Sequence, residues 1–275
     1  MSLRLPVARW VQRPDWLAAF AAGTAVCLAA YGINAAVGEV RPGSAWGRSY
    51  GALAALLMLA AALLAVRRRT MRLGLGRAQD WVQLHVYGGT LALLLVLLHT
   101  GWRGAAGGFG WWLLALTIWV SASGLFGVAL RKWIPRLLSS GLSLEVLYER
   151  IPELTAGVRG KAEALVASAP APVQDFYRRQ IAPEMARPRV RWIYFVDITG
   201  GIQGRLRELA FLRKLLTPEE RPSLDELTAL YRVKLEMDAQ FTLQKALRGW
   251  LYGHVPASFV LLFLVALHIF AVLVY

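Results

Sequence analysis

His85, His99, His254 and His268 are the only histidines in a chain of 275 residues, and they fall in two segments with the same pattern. One reads WVQLHVYGGTLALLLVLLHTGW over residues 81–102, the other WLYGHVPASFVLLFLVALHIFAVLVY over 250–275. In each, a Trp is followed four residues later by a His, and a second His stands fourteen residues beyond the first. Imidazole can ligate a metal, carry a proton or simply hydrogen-bond, and the spacing narrows that choice. Fourteen residues at ~100° each end ~40° short of four full turns, so both histidines of a segment share one helix face, ~21 Å apart along the axis. A hydrogen bond to a neighbouring helix accounts for one histidine in an apolar segment. It does not account for four in matched registers, and intramembrane polar groups are costly enough to indicate function.

The elements that must position these residues follow from hydropathy. Apolar residues make up 57% of the chain and mean hydropathy is +0.45, well above a soluble domain. Apolar runs long enough to cross ~30 Å of hydrocarbon lie at Trp16–Ala36, Tyr50–Val66, Trp81–Thr100, Trp111–Leu130 and within Trp250–Tyr275. The expected fold is an all-α membrane protein with five transmembrane helices: residues 1–130 hold helices 1 to 4, 131–249 form an insert, and 250–275 form helix 5. The run at 50–66 is the shortest and calls for bilayer thinning or extension toward Trp46. The first run follows Arg4, Arg9 and Arg13 and is too long for a signal peptide, so it reads as an uncleaved helix. Cys27 is the only cysteine. Neither a disulfide nor a cysteine-ligated cluster or zinc site can be built from this chain alone, so any such cluster belongs to a partner.

Arg67, Arg68, Arg69, Arg72 and Arg77 crowd the connection between helices 2 and 3, while the connections after helices 1 and 3 hold only Arg41, Arg48 and Arg103. The positive-inside rule then places the N-terminus, the 67–80 connection and the insert in the cytoplasm and the C-terminus outside. The formal charge of +14 reads as a topology signal, and no nucleic-acid partner is expected. The insert carries 20 basic and 14 acidic residues. Its segments 148–168, 170–186 and 205–216 have helical patterns, and a Ser-x-x-Glu pair at Ser223 and Glu226 reads as the cap of a last helix running directly into helix 5. RVRWIYFVDI, 189–198, has the composition of a strand, and Gly200–Gly201 reads as a turn. There is no dinucleotide fingerprint, phosphate loop or CxxC, so the insert reads as a mainly helical docking or structural domain.

Matched Trp-to-His registers put the first histidines of helices 3 and 5 at one depth and the second at another, which requires those helices to run parallel. His85 then faces His254 and His99 faces His268. An imidazole pair within an apolar bundle suits a haem iron, whose flat porphyrin fills the space between helices, whereas zinc or copper takes three or four ligands at one point. Gly88, Gly89, Gly124 and Gly127 would permit close approach, or serve ordinary small-residue packing. Pro256, two residues after His254, either starts helix 5 or kinks it. The uncharged residues Trp250–Gly253 and the helical pattern upstream favour a continuous, kinked helix.

With His85–His99 and His254–His268 in H-x13-H spacing on two helices, the membrane core resembles the membrane di-haem b-type cytochromes. The resemblance implies two non-covalent b haems, with His85 and His254 as ligands of the inner iron and His99 and His268 of the outer. It implies an electron-transfer subunit of an oxidoreductase complex in a bacterial cytoplasmic membrane, exchanging electrons with quinone or with iron-sulfur, flavin or cytochrome subunits. Two departures limit it: the quinol-site motif of respiratory cytochrome b is missing, and the polar insert separates the ligand helices. Asp80, Lys245, Arg248 and Arg103 are placed for quinone chemistry, propionate pairing or interfacial anchoring. A different class is a transporter or assembly factor using the histidines as a proton relay or as a transient metal or haem site.

Overall fold

The computed structural model describes residues 14–38, 40–69, 76–105, 107–141 and 147–274. Arg4, Arg9, Arg13 and Arg72 lie outside them. Among the described residues every regular element is helical, and five helices are long and apolar enough to span a membrane. They are α1 (Pro14–Val37), α2 (Ala45–Arg69), α3 (Ala78–His99), α4 (Gly107–Gly141) and the apolar end of the last helix, Arg221–Val274. Of the two ways expected to accommodate the short second run, the structure has extension toward Trp46: α2 has 25 residues and takes in Trp46, a length of ~37 Å at 1.5 Å per residue. Ser44 starts it, accepting from the amide of Gly47 at 3.1 Å. The chain divides into two compact units, one of residues 1–129 with 250–275 and the other of residues 130–249.

In the first unit α2 and α3 share a core of Tyr50, Ala54, Leu95 and Leu98, with Cys27, Tyr31 and Leu91 packed against it. Large apolar side chains such as Val26, Ile33, Phe259 and Phe270 face outward, more than 60% exposed, which is tolerable only where the solvent is itself apolar. Inside this unit Asn34 donates to the Tyr50 hydroxyl at 2.7 Å, whereas the Thr24 hydroxyl and both side-chain amide atoms of Gln83 are buried without a hydrogen-bond partner among the described residues. Helix α3 ends just after His99. Gly101 takes a left-handed φ of 62°, its amide reaches the Leu98 carbonyl, and the Trp102 amide reaches that of Leu97, the double bond of a Schellman termination.

The second unit contains the 3-10 turn Tyr148–Arg150, then α5 (Ile151–Ala167) and α6 (Ala171–Phe176). A π-turn at Tyr177–Ile181 leads from α6 into α7 (Ala182–Met185). A second 3-10 turn (Trp192–Phe195) precedes α8 (Ile198–Leu215), and α9 (Arg221–Val274) supplies its first residues to this unit. Segment 189–198 is therefore not a strand. Two of its backbone donors go to side chains of α9, the Arg189 amide to Asp238 Oδ1 at 2.9 Å and the Arg191 amide to Thr242 Oγ1 at 3.1 Å, and the amides of Tyr194, Val196 and Asp197 bond carbonyls of the segment itself. An extended stretch that finds acceptors on a helix needs no sheet partner. Gly200 and Gly201 likewise lie in the first turn of α8, where Asp197 accepts from the Gly200 amide at 2.8 Å. Ser223 lies inside α9 and is not its cap; Glu220 instead reaches back to the amide and hydroxyl of Thr217, at 3.0 Å each. As expected, α9 runs unbroken through Pro256.

Residues 234–240 of α9, KLEMDAQ, are all buried although four of the seven are polar. Lys234 and Asp238, each with no exposed side-chain area, pair at 2.6 Å. Nearby, the Glu184 carboxylate holds Arg191 at 2.7 Å, Arg205 and the Tyr231 hydroxyl. Burial pushes the Lys234 ammonium down and the Asp238 carboxyl up, and each partner's charge opposes that shift. Removing one member strands the other, which costs ~3–5 kcal/mol for a buried pair. Lys234→Met is expected to lower the thermal midpoint of this unit strongly. Adding Asp238→Asn, which keeps an acceptor for the Arg189 amide and removes the charge, is expected to recover part of the loss.

Candidate metal-ligand pairs in the membrane unit

The four histidines meet in two pairs within the first unit. The rings of His85 and His254 have centroids 6.2 Å apart with planes at 77°, and those of His99 and His268 lie 6.4 Å apart at 79°. These are the pairings expected from matched registers, and they require α3 and the end of α9 to run in the same direction. A metal–imidazole bond of ~2.0 Å, with the ring centre ~1.1 Å behind the nitrogen, gives a centroid separation of ~6.2 Å for two imidazoles on opposite sides of one ion. Both pairs have that separation.

The other ring nitrogens are already committed. His85 Nδ1 lies 3.0 Å from the Ala61 carbonyl and His99 Nδ1 lies 2.8 Å from that of Gly47. Carbonyl oxygens only accept, so in both rings Nδ1 carries the proton and Nε2 keeps its lone pair. The Ser123 hydroxyl stands 2.8 Å from His254 Nδ1 and 3.0 Å from the Val120 carbonyl; with its proton on that carbonyl it accepts from Nδ1–H and leaves His254 in the same state. Such outer partners fix ring orientation and raise the basicity of the free nitrogen. Trp250 adds a steric clamp, stacking on His254 at 5.3 Å while donating to the Ser123 carbonyl at 2.7 Å. His268 has Phe109 beside it at 6.3 Å.

Local sequence explains these placements. His85 sits in a π-turn, Leu84–Gly88, that interrupts α3, a feature frequent at functional sites and one that uniform 100° arithmetic omits. A Cβ at Gly51 would come within 2.8 Å of His99 Nδ1, so only glycine lets His99 approach α2. Gly51 has no signal in the sequence beyond lying one turn from Gly47. Of the glycines read from the sequence, Gly124 lies against His254, with a Cβ there 3.4 Å from Cε1, and Gly127 leaves room for the Trp250 ring. Gly88 and Gly89 relieve no close contact.

A cavity opens beside His85 and His254, walled by small and apolar residues including Ala61, Ala62, Gly89, Gly124, Leu261 and Leu262. Among the described residues no group of three or more His, Cys, Asp or Glu side chains could hold a metal ion, so each site offers an ion two imidazoles and must leave its remaining positions to another group. The charged candidates lie elsewhere. Asp80 takes bonds from Trp16 and Arg77 at 3.4 and 3.3 Å; Lys245 lies over the Phe241 ring; Arg248 pairs with Glu149 and lies 4.2 Å over Tyr148. The Arg103 amide bonds the Thr100 carbonyl.

The pairing can be tested without a cofactor. In a Cys27→Ala background, cysteines at 85 and 254 or at 99 and 268 are expected to be joined by a short bismaleimide, identified as a linked peptide pair by mass spectrometry. The crossed combinations, 85 with 268 and 99 with 254, are expected to give none.

The chain matches no protein-family model, no curated protein and no solved structure, so what these pairs do is argued from their own geometry.

Proposed function

We propose that the chain is a di-haem b-type cytochrome subunit of a membrane oxidoreductase complex, carrying electrons across the bilayer between quinone or a redox partner subunit and an acceptor. The observation that carries this reading is the imidazole pair at metal-bridging separation, found twice, with the Nδ1 of His85, His99 and His254 hydrogen-bonded and Nε2 free. Two paired imidazoles with, among the described residues, no third protein ligand suit an iron whose other four positions a porphyrin fills, and the cavity beside His85 and His254 has an apolar lining. A bound haem supplies one-electron chemistry at its iron. His85 and His254 would hold one group, His99 and His268 the other. Ala61, Gly47 and Ser123 keep the imidazoles in the ligating tautomer; Gly51 and Gly124 give the rings room; the apolar wall excludes water.

A proton relay needs imidazoles that exchange protons along a hydrated path, whereas here three Nδ1–H groups are tied to protein acceptors. The cation excess of the insert, 20 basic to 14 acidic residues, supports an acidic partner surface for the expected redox subunit.

Pyridine haemochrome analysis of the purified protein is expected to find two b haems per chain, and none after expression with ample haem would overturn the proposal. Replacing His85 or His254 is expected to remove one and the same haem, and replacing His99 or His268 the other, with each single replacement nearly as damaging to its site as the double. Redox titration should sort the four variants into these two classes; His85 grouping with His268 would refute the arrangement. Ser123→Ala removes the acceptor behind His254, making that imidazole a poorer donor, so the midpoint potential of the His85/His254 site is expected to rise with both haems retained.

A further inference from the structure

The 3-10 turn Trp192–Phe195 carries an apolar surface that none of the described residues of its unit covers. Trp192 is 79% exposed, Val196 76% and Ile193 49%. Clustered apolar exposure of this kind marks an interaction surface, and ring contacts tie it to one place. Phe195 lies 5.6 Å from Trp192 on one side and 6.4 Å from Trp133 on the other. Trp133, itself 44% exposed, belongs to the same unit and sits on α4 three residues beyond Leu130, where that unit begins. Helix α4 is apolar enough to cross a membrane over Gly107–Leu138. Within that helix the uncharged run ends at Leu130, before Arg131 and Lys132, and Trp133 follows ~4.5 Å further along the axis, where Trp beside cations suits the headgroup level.

Charge points to the same occupant. The α4 segment 130–141 carries Arg131, Lys132 and Arg136 and no acid, and residues 185–196 carry Arg187, Arg189 and Arg191 and no acid. Arg191 and Arg189 also bind the Glu184 and Asp238 carboxylates; by composition, both segments are basic along their length. Exposed Trp and aliphatic side chains among cations are what an anionic headgroup boundary retains.

We propose that residues Trp192–Val196 form a membrane-surface anchor, inserting into the headgroup boundary of the anionic leaflet from which α4 emerges. The full chain is placed, one copy per nanodisc, in equal parts phosphatidylglycerol and phosphatidylcholine, with a nitroxide on Val196→Cys in the Cys27→Ala background. The expected result is several-fold lower collision with a water-soluble nickel chelate, and higher collision with oxygen, than for a nitroxide at the water-facing control Glu219→Cys. In phosphatidylcholine alone the nickel accessibility is expected to rise. A Val196 label as open to nickel as the control in the anionic discs would overturn the proposal. Protection seen only in discs holding two chains would assign the patch to a second copy, and overturn it equally. Val196 is mostly exposed, so the cysteine removes no packing, and Trp192→Ser with the same label should raise nickel accessibility if the ring is the anchor.

Discussion

An imidazole inside an apolar bundle has two nitrogens to satisfy, and in the membrane unit that requirement organises the surrounding helices. Water is not at hand to complete what the protein leaves out, and an unpaired polar group there costs several kcal/mol. One nitrogen of His85, His99 and His254 is answered from a neighbouring helix: Ala61 and Gly47 of α2 and Ser123 of α4. The rings themselves meet in two pairs, His85 with His254 and His99 with His268. Because the α2 acceptors are main-chain carbonyls, α2 must approach α3 closely, and the bare surface at Gly51 permits that approach. The π-turn at Leu84–Gly88, the Schellman ending after His99 and the unbroken passage of α9 through Pro256 each set where an imidazole stands along its helix.

The second unit solves a different problem with the opposite material. Its central helix segment is surrounded on every side, yet it is built from Lys234, Glu236, Asp238 and Gln240 as much as from Leu235 and Met237. Such a core gains little net energy from its charges, since desolvation offsets most of the attraction. What it gains is specificity: Asp238 and Thr242 accept main-chain amides of the 189–191 stretch, and Glu184 gathers Arg191, Arg205 and Tyr231. A shift of α9 by one residue would leave these groups buried and unpaired, so the polar contacts fix one register where an apolar core would tolerate several.

The membrane unit was legible in the sequence because its signals are simple. Long apolar runs mark the spans, and four histidines in repeated registers mark pairs that meet only if helices 3 and 5 are parallel. What the sequence hid depends on contacts between distant segments. Ser123 is one serine among several until its hydroxyl is seen between the Val120 carbonyl and His254. Gly51 is one glycine of 25, and its role appears only with His99 beside it. The misread strand at 189–198 has the same origin. Alternating apolar residues report an extended chain with two unlike faces, but not whether its amides bond another strand or the side chains of a helix. Ser223 failed as a cap because Glu220 and Thr217 close the turn before α9, a local competition that motif spacing alone does not rank.

The two histidine levels are not chemically equal, and the difference lies in what stands behind each ring. At the first level both Nδ1–H groups are engaged, His85 with a carbonyl and His254 with a hydroxyl. At the second, His99 is backed by the Gly47 carbonyl, while His268 has the rings of His99 and Phe109 beside it and, among the described residues, no hydrogen-bond acceptor behind it. An engaged Nδ1–H makes the opposite nitrogen a stronger donor, and stronger donation favours the more oxidised state of a ligated metal. On the proposed reading, these outer contacts make the His85/His254 level the harder of the two to reduce. The inequality arises because His254 meets Ser123 of α4 and, among the described residues, His268 meets no such group, since the four ligand side chains are the same.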